Sequence, residues 1–330
     1  MNKLTTFCLA TLLSNAVFAA DVTRQTLNVY TYDSFVSDWG PGPKIKLAFE
    51  KDCQCELNFI AEEDGVSILN RLRIEGKKVK ADVILGLDHA LMKDAKATGL
   101  IAEHNQTFED LNPDLNWQDR QFIPYDFGYF AFIYDSSKIK KPVSSLQELV
   151  ASDASIIYQD PRTSTPGQGL MFWMNAVYKD KTAEAWQQLA SHTVTVTKGW
   201  YEGYSMFLKG GSDYVLSYTT SPAYHMIVDA EDKYQAAQFS EGHIAQIEVA
   251  AALNTSSHPE LAQSFLKFLL SDTAQQILPV TNWMLPVKKN ISLPTQFSKL
   301  ISPATLPMDI EHLSNQRKNW IKVWRTSAAK

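Results

Sequence analysis

The sequence predicts an α/β fold built as two lobes, and three observations carry that reading. Strand and helix signals alternate through the first half of the chain and resume after residue 134. Several strands read as continuous apolar runs, as expected where a mainly parallel sheet is covered on both faces. At 330 residues the chain exceeds what one hydrophobic core usually fills. Apolar residues make up 45% and charged residues 20%, a balance far from that of disordered chains.

Residues 1–19 carry a charge at Lys3, an apolar run over 4–13 and small residues over 16–20. That is the pattern of a secretory signal peptide, with cleavage expected after Ala19, where Val17 and Ala19 fill the −3 and −1 positions. The run is too short and too polar to span a bilayer, and no lipoprotein-type sequence precedes Cys8. Residues 27–32 then read as a strand, 44–51 as a helix after the Gly40-Pro41-Gly42-Pro43 turn, and 56–61 as a strand. A helix is expected over 66–76, where Val66 and Leu69, and Ile68 and Leu72, fall at i, i+3/i+4 spacing; 81–87 is a continuous apolar strand.

Residues 126–134 form an aromatic, alternating strand. Beyond it come a helix over 144–151, a strand over 155–158, helices over 167–178 and 183–192, and strands over 194–197 and 214–218, with a short helical run after Trp200. An apolar strand over 244–253 precedes a helix over 260–270 that is entered through Pro259, a favoured early helical position. The last helix is amphipathic, with Leu313, Trp320 and Trp324 on one face. Crossings between lobes are expected near 126–134 and 240–250. One lobe then comprises 20–127 with 240–278, and the other 128–239 with 279–330.

The formal charge is −5, and no Lys/Arg cluster with interleaved aromatics accompanies it, which argues against nucleic acid. The seven histidines are scattered without ligand spacing, so no metal site is read. Cys53 and Cys55 on an extended segment place both sulfurs on one face at the outer limit of disulfide reach. A local disulfide and a pair of partly buried thiols at a helix end are both open. Catalytic motifs are missing: no G-x-S-x-G, no H-E-x-x-H, and no cysteine with a positioned histidine. Ser221 and His225, four residues apart, make a weak nucleophile–base candidate, and packing or capping is the stronger reading of the histidine.

Ligands of open α/β sheets bind beyond the carboxyl ends of the strands, so the turns that follow strands are the places to search. The stretch from Trp200 to His225 combines large rings with small hydroxyls at a helix start. Rings offer a face to a flat or cationic ligand, and free N–H groups suit a polar or anionic one. In 160–169, Thr165 is the expected N-cap, with Ser164 and Thr165 presenting hydroxyls beside free amides. Asp64 and Gly65 read as a helix start whose carboxylate could equally meet a ligand amine. Tyr32, Trp39, Trp200, Tyr218, Tyr224 and Trp283 are aromatics on turns near Gly and Pro, and Thr219, Thr220 and Ser221 supply hydroxyls.

Several long segments carry a resemblance. Residues 30–35, 38–43, 63–66, 158–167, 195–200 and 216–225, together with Asn282-Trp283-Met284 and the Cys53-x-Cys55 pair, closely resemble the periplasmic thiamine-binding proteins of Gram-negative bacteria, over nearly the whole chain. The resemblance implies a type II periplasmic binding protein fold with a cleft between lobes. It also implies a soluble receptor for thiamine, thiamine monophosphate and thiamine diphosphate, serving an inner-membrane permease and its ATPase by lobe closure, with no cofactor of its own. Carried onto matching positions, ligand contacts fall at Asp64, Gly65, Ser164, Thr165, Trp200 and Tyr218 to Ser221. Tyr32, Trp39, Tyr224 and Trp283 match aromatic positions around the cleft. Residues 201–204 depart from the family pattern. The alternatives are a thiaminase-like enzyme with a cysteine nucleophile and a receptor for a polyamine or ferric ion. The cysteines lie away from the predicted site, and the chain lacks the Tyr-Tyr pair of ferric receptors.

Overall fold

The computed structural model describes residues 24–328. The expected signal segment and its cleavage point lie outside them. The first lobe opens with β1 (Thr26–Tyr32), the one-turn helix α1 (Asp33–Val36), α2 (Gly42–Cys53), β2 (Glu56–Glu62), α3 (Gly65–Glu75), β3 (Val83–Asp88) and α4 (Met92–Lys96). The long strand β4 (Ile123–Asp135) leads into the second lobe. There follow α5 (Leu146–Ala151), β5 (Ile156–Gln159), α6 (Thr165–Tyr178), α7 (Thr182–His192), β6 (Thr193–Thr197), α8 (Trp200–Leu208), β7 (Tyr214–Tyr218), α9 (Ser221–Tyr224) and β8 (Tyr234–Ala236). The chain returns through β9 (Ala245–Ala252) to α10 (Pro259–Leu269) and α11 (Asp272–Ile277). It then crosses again by β10 (Leu285–Pro286) to α12 (Ile310–Ser327).

The strands hydrogen-bond in the order β2-β1-β3-β9-β4-β7-β5-β6. β1 runs parallel to β2 and β3, and β5 parallel to β6 and β7, each triplet joined by crossover helices as parallel pairing requires. β9 and β4 run antiparallel to their neighbours and splice the triplets together. β4 changes partner along its length: Ile123 to Tyr129 pair with β9, and Phe130 to Tyr134 with β7. Two adjacent strands, with the short crossing at β10 paired to β4, therefore form the link between the lobes.

The lobes have separate cores. Val29, Leu57, Ile84, Leu85, Val249, Phe265 and Leu266 close the first. Phe132, Leu170, Trp173, Trp186 and Leu216 fill the second, joined by Leu313 and Trp324 of α12. Trp320 packs against the edge of that core, so the three residues do share a face. The Trp324 indole N–H donates to the Tyr158 hydroxyl at 3.1 Å, which gives this buried indole a partner. Cys53 and Cys55 are joined in a disulfide around Gln54, whose left-handed conformation ends α2. Among the described residues, no helix is long and apolar enough to cross a membrane.

Candidate functional site

A cavity of about 150 Å³ lies between the lobes, beyond the carboxyl ends of β1, β2 and β7. The first lobe contributes Tyr32, Asp33, Trp39, Glu63 and Asp64 to its wall; the second contributes Thr165, Trp200, Tyr204, Tyr218, Ser221 and Tyr224. Glu248, Asn282, Trp283 and Met284 complete the lining where the chain passes between lobes. Gly65, Ser164, Thr219 and Thr220 do not reach the lining. Thr219 is held behind it by its amide, which donates to the Tyr129 carbonyl at 2.8 Å.

Asp64 follows β2 and caps the start of α3, and the amide of its neighbour Gly65 donates to Oδ1 at 2.7 Å. The other donors come from the opposite lobe. The Ser164 hydroxyl reaches Oδ2 at 2.8 Å, the Thr165 amide and hydroxyl reach Oδ1 at 3.1 and 3.2 Å, and the Trp200 amide reaches Oδ2 at 3.2 Å. One buried carboxylate thus sits at the starts of both α6 and α8, where unpaired amides and the helix dipole favour an anion. Burial pushes its proton affinity up, and these donors oppose that effect. The hydroxyls and amide expected to meet a ligand's polar arm are occupied here by Asp64. The N-cap of α6 is Ser164 rather than Thr165: Ser164 is extended and its Oγ accepts from the Gly167 amide, while Thr165 has already turned helical.

Two glycines allow this approach. A Cβ on Gly65 would stand 2.7 Å from Thr165 Cγ2, and one on Gly199 would stand 2.5 Å from the Glu63 carbonyl oxygen, each across the cleft.

The aromatic residues of the wall pack in two groups. Trp200 stacks on Tyr204 at 5.0 Å between centroids, Trp39 meets Trp200 edge-on at 6.2 Å from the other lobe, and Tyr224 meets Trp283 edge-on at 5.3 Å. The wall is fixed from behind. The Trp200 indole donates to Ser217 Oγ at 2.7 Å, Ser217 and Ser221 share a hydrogen bond of 2.7 Å, and Ser221 Oγ accepts the Tyr218 amide at 3.2 Å. His225, held neutral by burial, contacts Tyr204 Oη and Asp229 Oδ2, each at 2.9 Å. Ser221 and His225 are therefore committed to different partners and form no nucleophile–base pair. Neither cysteine lines the cavity.

Among the described residues, the lining carries the carboxylates of Asp33, Glu63, Asp64 and Glu248 but no Lys, Arg or His. Burial, with Asp64 nearby, pushes Asp33 up to about 7. Sequence reasoning missed Glu248, which lies in a strand read as apolar. The signal that could have found it was the alternation of Gln246 and Glu248 within that run. Glu248 Oε2 accepts from the Tyr32 and Tyr125 hydroxyls at 2.9 and 2.6 Å and from Asn282 Nδ2 at 3.2 Å. Flat rings around unbalanced negative charge suit a flat cation.

Residues 36–276 match the family described as Bacterial extracellular solute-binding protein. A Thiamine-binding periplasmic protein from Escherichia coli (strain K12) is 54% identical over 328 residues, covering 98% of this chain and 99% of that one. A protein of the same description from Salmonella typhimurium is 54% identical over 310 residues, 93% of this chain and 94% of that one. A solved structure described as Periplasmic thiamin binding protein superimposes with a TM-score of 0.91 at 53% identity, covering 94% of this chain and 98% of that one. On these grounds the chain belongs to the bacterial extracellular solute-binding proteins and, within them, to the thiamine-binding periplasmic proteins.

Proposed function

We propose that this protein is a soluble periplasmic receptor that binds thiamine, thiamine monophosphate and thiamine diphosphate between its lobes. It hands them to an inner-membrane permease driven by an ATPase, and it reaches the periplasm through a signal peptide cleaved after Ala19. The observation that carries the reading is the cavity wall: aromatic faces from both lobes around carboxylates, with no basic side chain. Thiamine joins a flat aminopyrimidine to a permanently cationic thiazolium, and a desolvated cation over a Trp or Tyr face gains roughly 2 kcal/mol.

Receptor action needs lobe closure that the ligand favours, and a ligand shifts closure only by contacts it makes better in the closed form. Tyr32 and Trp39 on one side, with Trp200, Tyr218 and Tyr224 on the other, supply such contacts in this reading. Isothermal calorimetry of the mature protein with thiamine, thiamine diphosphate, spermidine and ferric ion tests it. Saturable one-to-one heat is expected with the first two ligands. Absence of thiamine binding would refute the assignment.

A further inference from the structure

Three neighbouring strands place carboxylates opposite one another at the base of the cleft: Asp88 on β3 and Asp126 on β4 both pair in register with Glu248 on β9. β9 and β4 are also the strands that join the lobes. Asp126 is fully buried and Glu248 nearly so, with only Glu248 reaching the cavity. The groups that face Glu248 are Tyr32 from β1, Asp64 from the β2–α3 turn, Asp88 from β3, Tyr125 and Asp126 from β4, and Tyr218 from β7. None is basic. The Arg317 guanidinium lies by Asp88 and binds Asp94 and the Ala90 carbonyl instead.

Two adjacent buried carboxyls without a cation do not both ionise near neutral pH. The donors divide them unequally. Glu248 receives Tyr32, Tyr125 and Asn282 on Oε2 and Gln246 Nε2 on Oε1 at 3.1 Å. Asp126 receives only Asn282, at 2.7 Å on Oδ2, and its Oδ1 has no donor. Glu248 is therefore the better anion and Asp126 the better acid, in line with the upward push that burial and Glu248 exert on Asp126. Beside them Trp283 holds a left-handed backbone, φ 57°, in the wall of the cavity next to Asn282, which binds the pair. Its indole N–H is buried without a partner. Such strain persists where the surroundings enforce it, and it gathers at ligand sites.

We propose that Glu248, ionised while Asp126 keeps the single proton of the pair, is the fixed counter-charge by which the cleft selects a cationic ring over a neutral ring of the same shape. This rests on the thiamine reading above and names the residue that sets its charge specificity.

The test compares thiamine with 3-deazathiamine, an uncharged thiophene isostere, by calorimetry on the mature wild type, Glu248→Gln and Asp126→Asn. Removing one charge from a site of intermediate dielectric is expected to weaken thiamine about 10- to 100-fold in Glu248→Gln and the isostere less than about threefold. Asp126→Asn, which imitates the protonated acid, is expected to keep thiamine within about threefold of wild type. Should Glu248→Gln fail to fold, Asp33→Asn serves as the background, because it removes the lining carboxyl pushed up to about 7: lowering the pH from about 7.5 to 4.5 should there still reduce the ratio of thiamine to isostere affinity at least about tenfold as Glu248 is protonated. Equal losses for both ligands, unchanged thiamine affinity in Glu248→Gln, or a pH-independent ratio would overturn the proposal. Wild type that binds neither ligand would instead refute the receptor reading beneath it.

Discussion

Replacing Asp64 by Asn tests whether one carboxylate clasps the two lobes. The amide has almost the same shape and still caps α3, since Asn and Asp serve equally at that position. The opposite lobe loses more. Trp200 N–H, 3.2 Å from Oδ2, would face an NH₂ group and lose its acceptor, while the Ser164 hydroxyl can turn to accept instead of donate. Leaving one buried donor unmade costs about 1–3 kcal/mol, and losing the anion at two helix starts adds about 0.3–1 kcal/mol each. Relief of the buried charge offsets part of this, because burial acts on the Asp64 carboxyl more strongly than any single donor does. The net expectation is about 2–3 kcal/mol against closure, a loss of roughly 30- to 150-fold in thiamine affinity. A double-mutant cycle separates the clasp from any direct ligand contact. Asp64→Ala and Ser164→Ala, each of which removes the bond between them, measured singly and together by calorimetry, should show a coupling of at least about 1 kcal/mol. Additive losses, within about 0.5 kcal/mol, would refute the clasp.

Gly199→Ala should weaken ligand binding without unfolding either lobe, because its Cβ would press on the Glu63 carbonyl only when the lobes meet; an unchanged Kd together with unchanged scattering from the closed form would contradict this. Trp200→Ala should cost at least about tenfold in thiamine affinity, read by calorimetry, if its face meets the cation. Trp200→Phe should recover part of that loss while lacking the bond to Ser217. Burial pushes Asp88 up to about 7, against the pull of Arg317, so the folded chain holds a proton that the unfolded chain has released. That contribution is complete below about pH 4 and is lost as pH rises through about 7. Asp88→Asn, which can still cap the Leu91 amide, should then raise Tm at pH 8 by about 2–4 °C more than it does at pH 4; an equal change at both would refute the protonation account.

The alternation of elements was legible because each strand and helix announces itself within its own window. The helix expected from Lys44 begins at Gly42, because Pro43 falls in its first turn, where a missing N–H costs nothing. α1, α4, α11, β8 and β10 went unread: elements of two to six residues are too short to show a period. In the site, the turn aromatics were legible as rings placed where a core position was not required. Glu248 was not, since one acidic residue in an apolar strand has no local meaning until Tyr32, Tyr125 and Asp126 surround it.

Local chemistry therefore reached as far as the α/β class, the helix starts at Asp64 and in 164–165, and a ligand region rich in rings and hydroxyls. Which groups those side chains actually meet was settled only in three dimensions. The partners of Asp64 in the opposite lobe lie 100 to 136 residues away, and those of Glu248 up to 216. Periodicity and capping act over a few residues, whereas a buried carboxylate is defined by whatever donors the chain's return brings within about 3 Å of it. That is why Ser164 and Thr165, whose local setting leaves their hydroxyls open to a ligand, hold the opposite lobe instead.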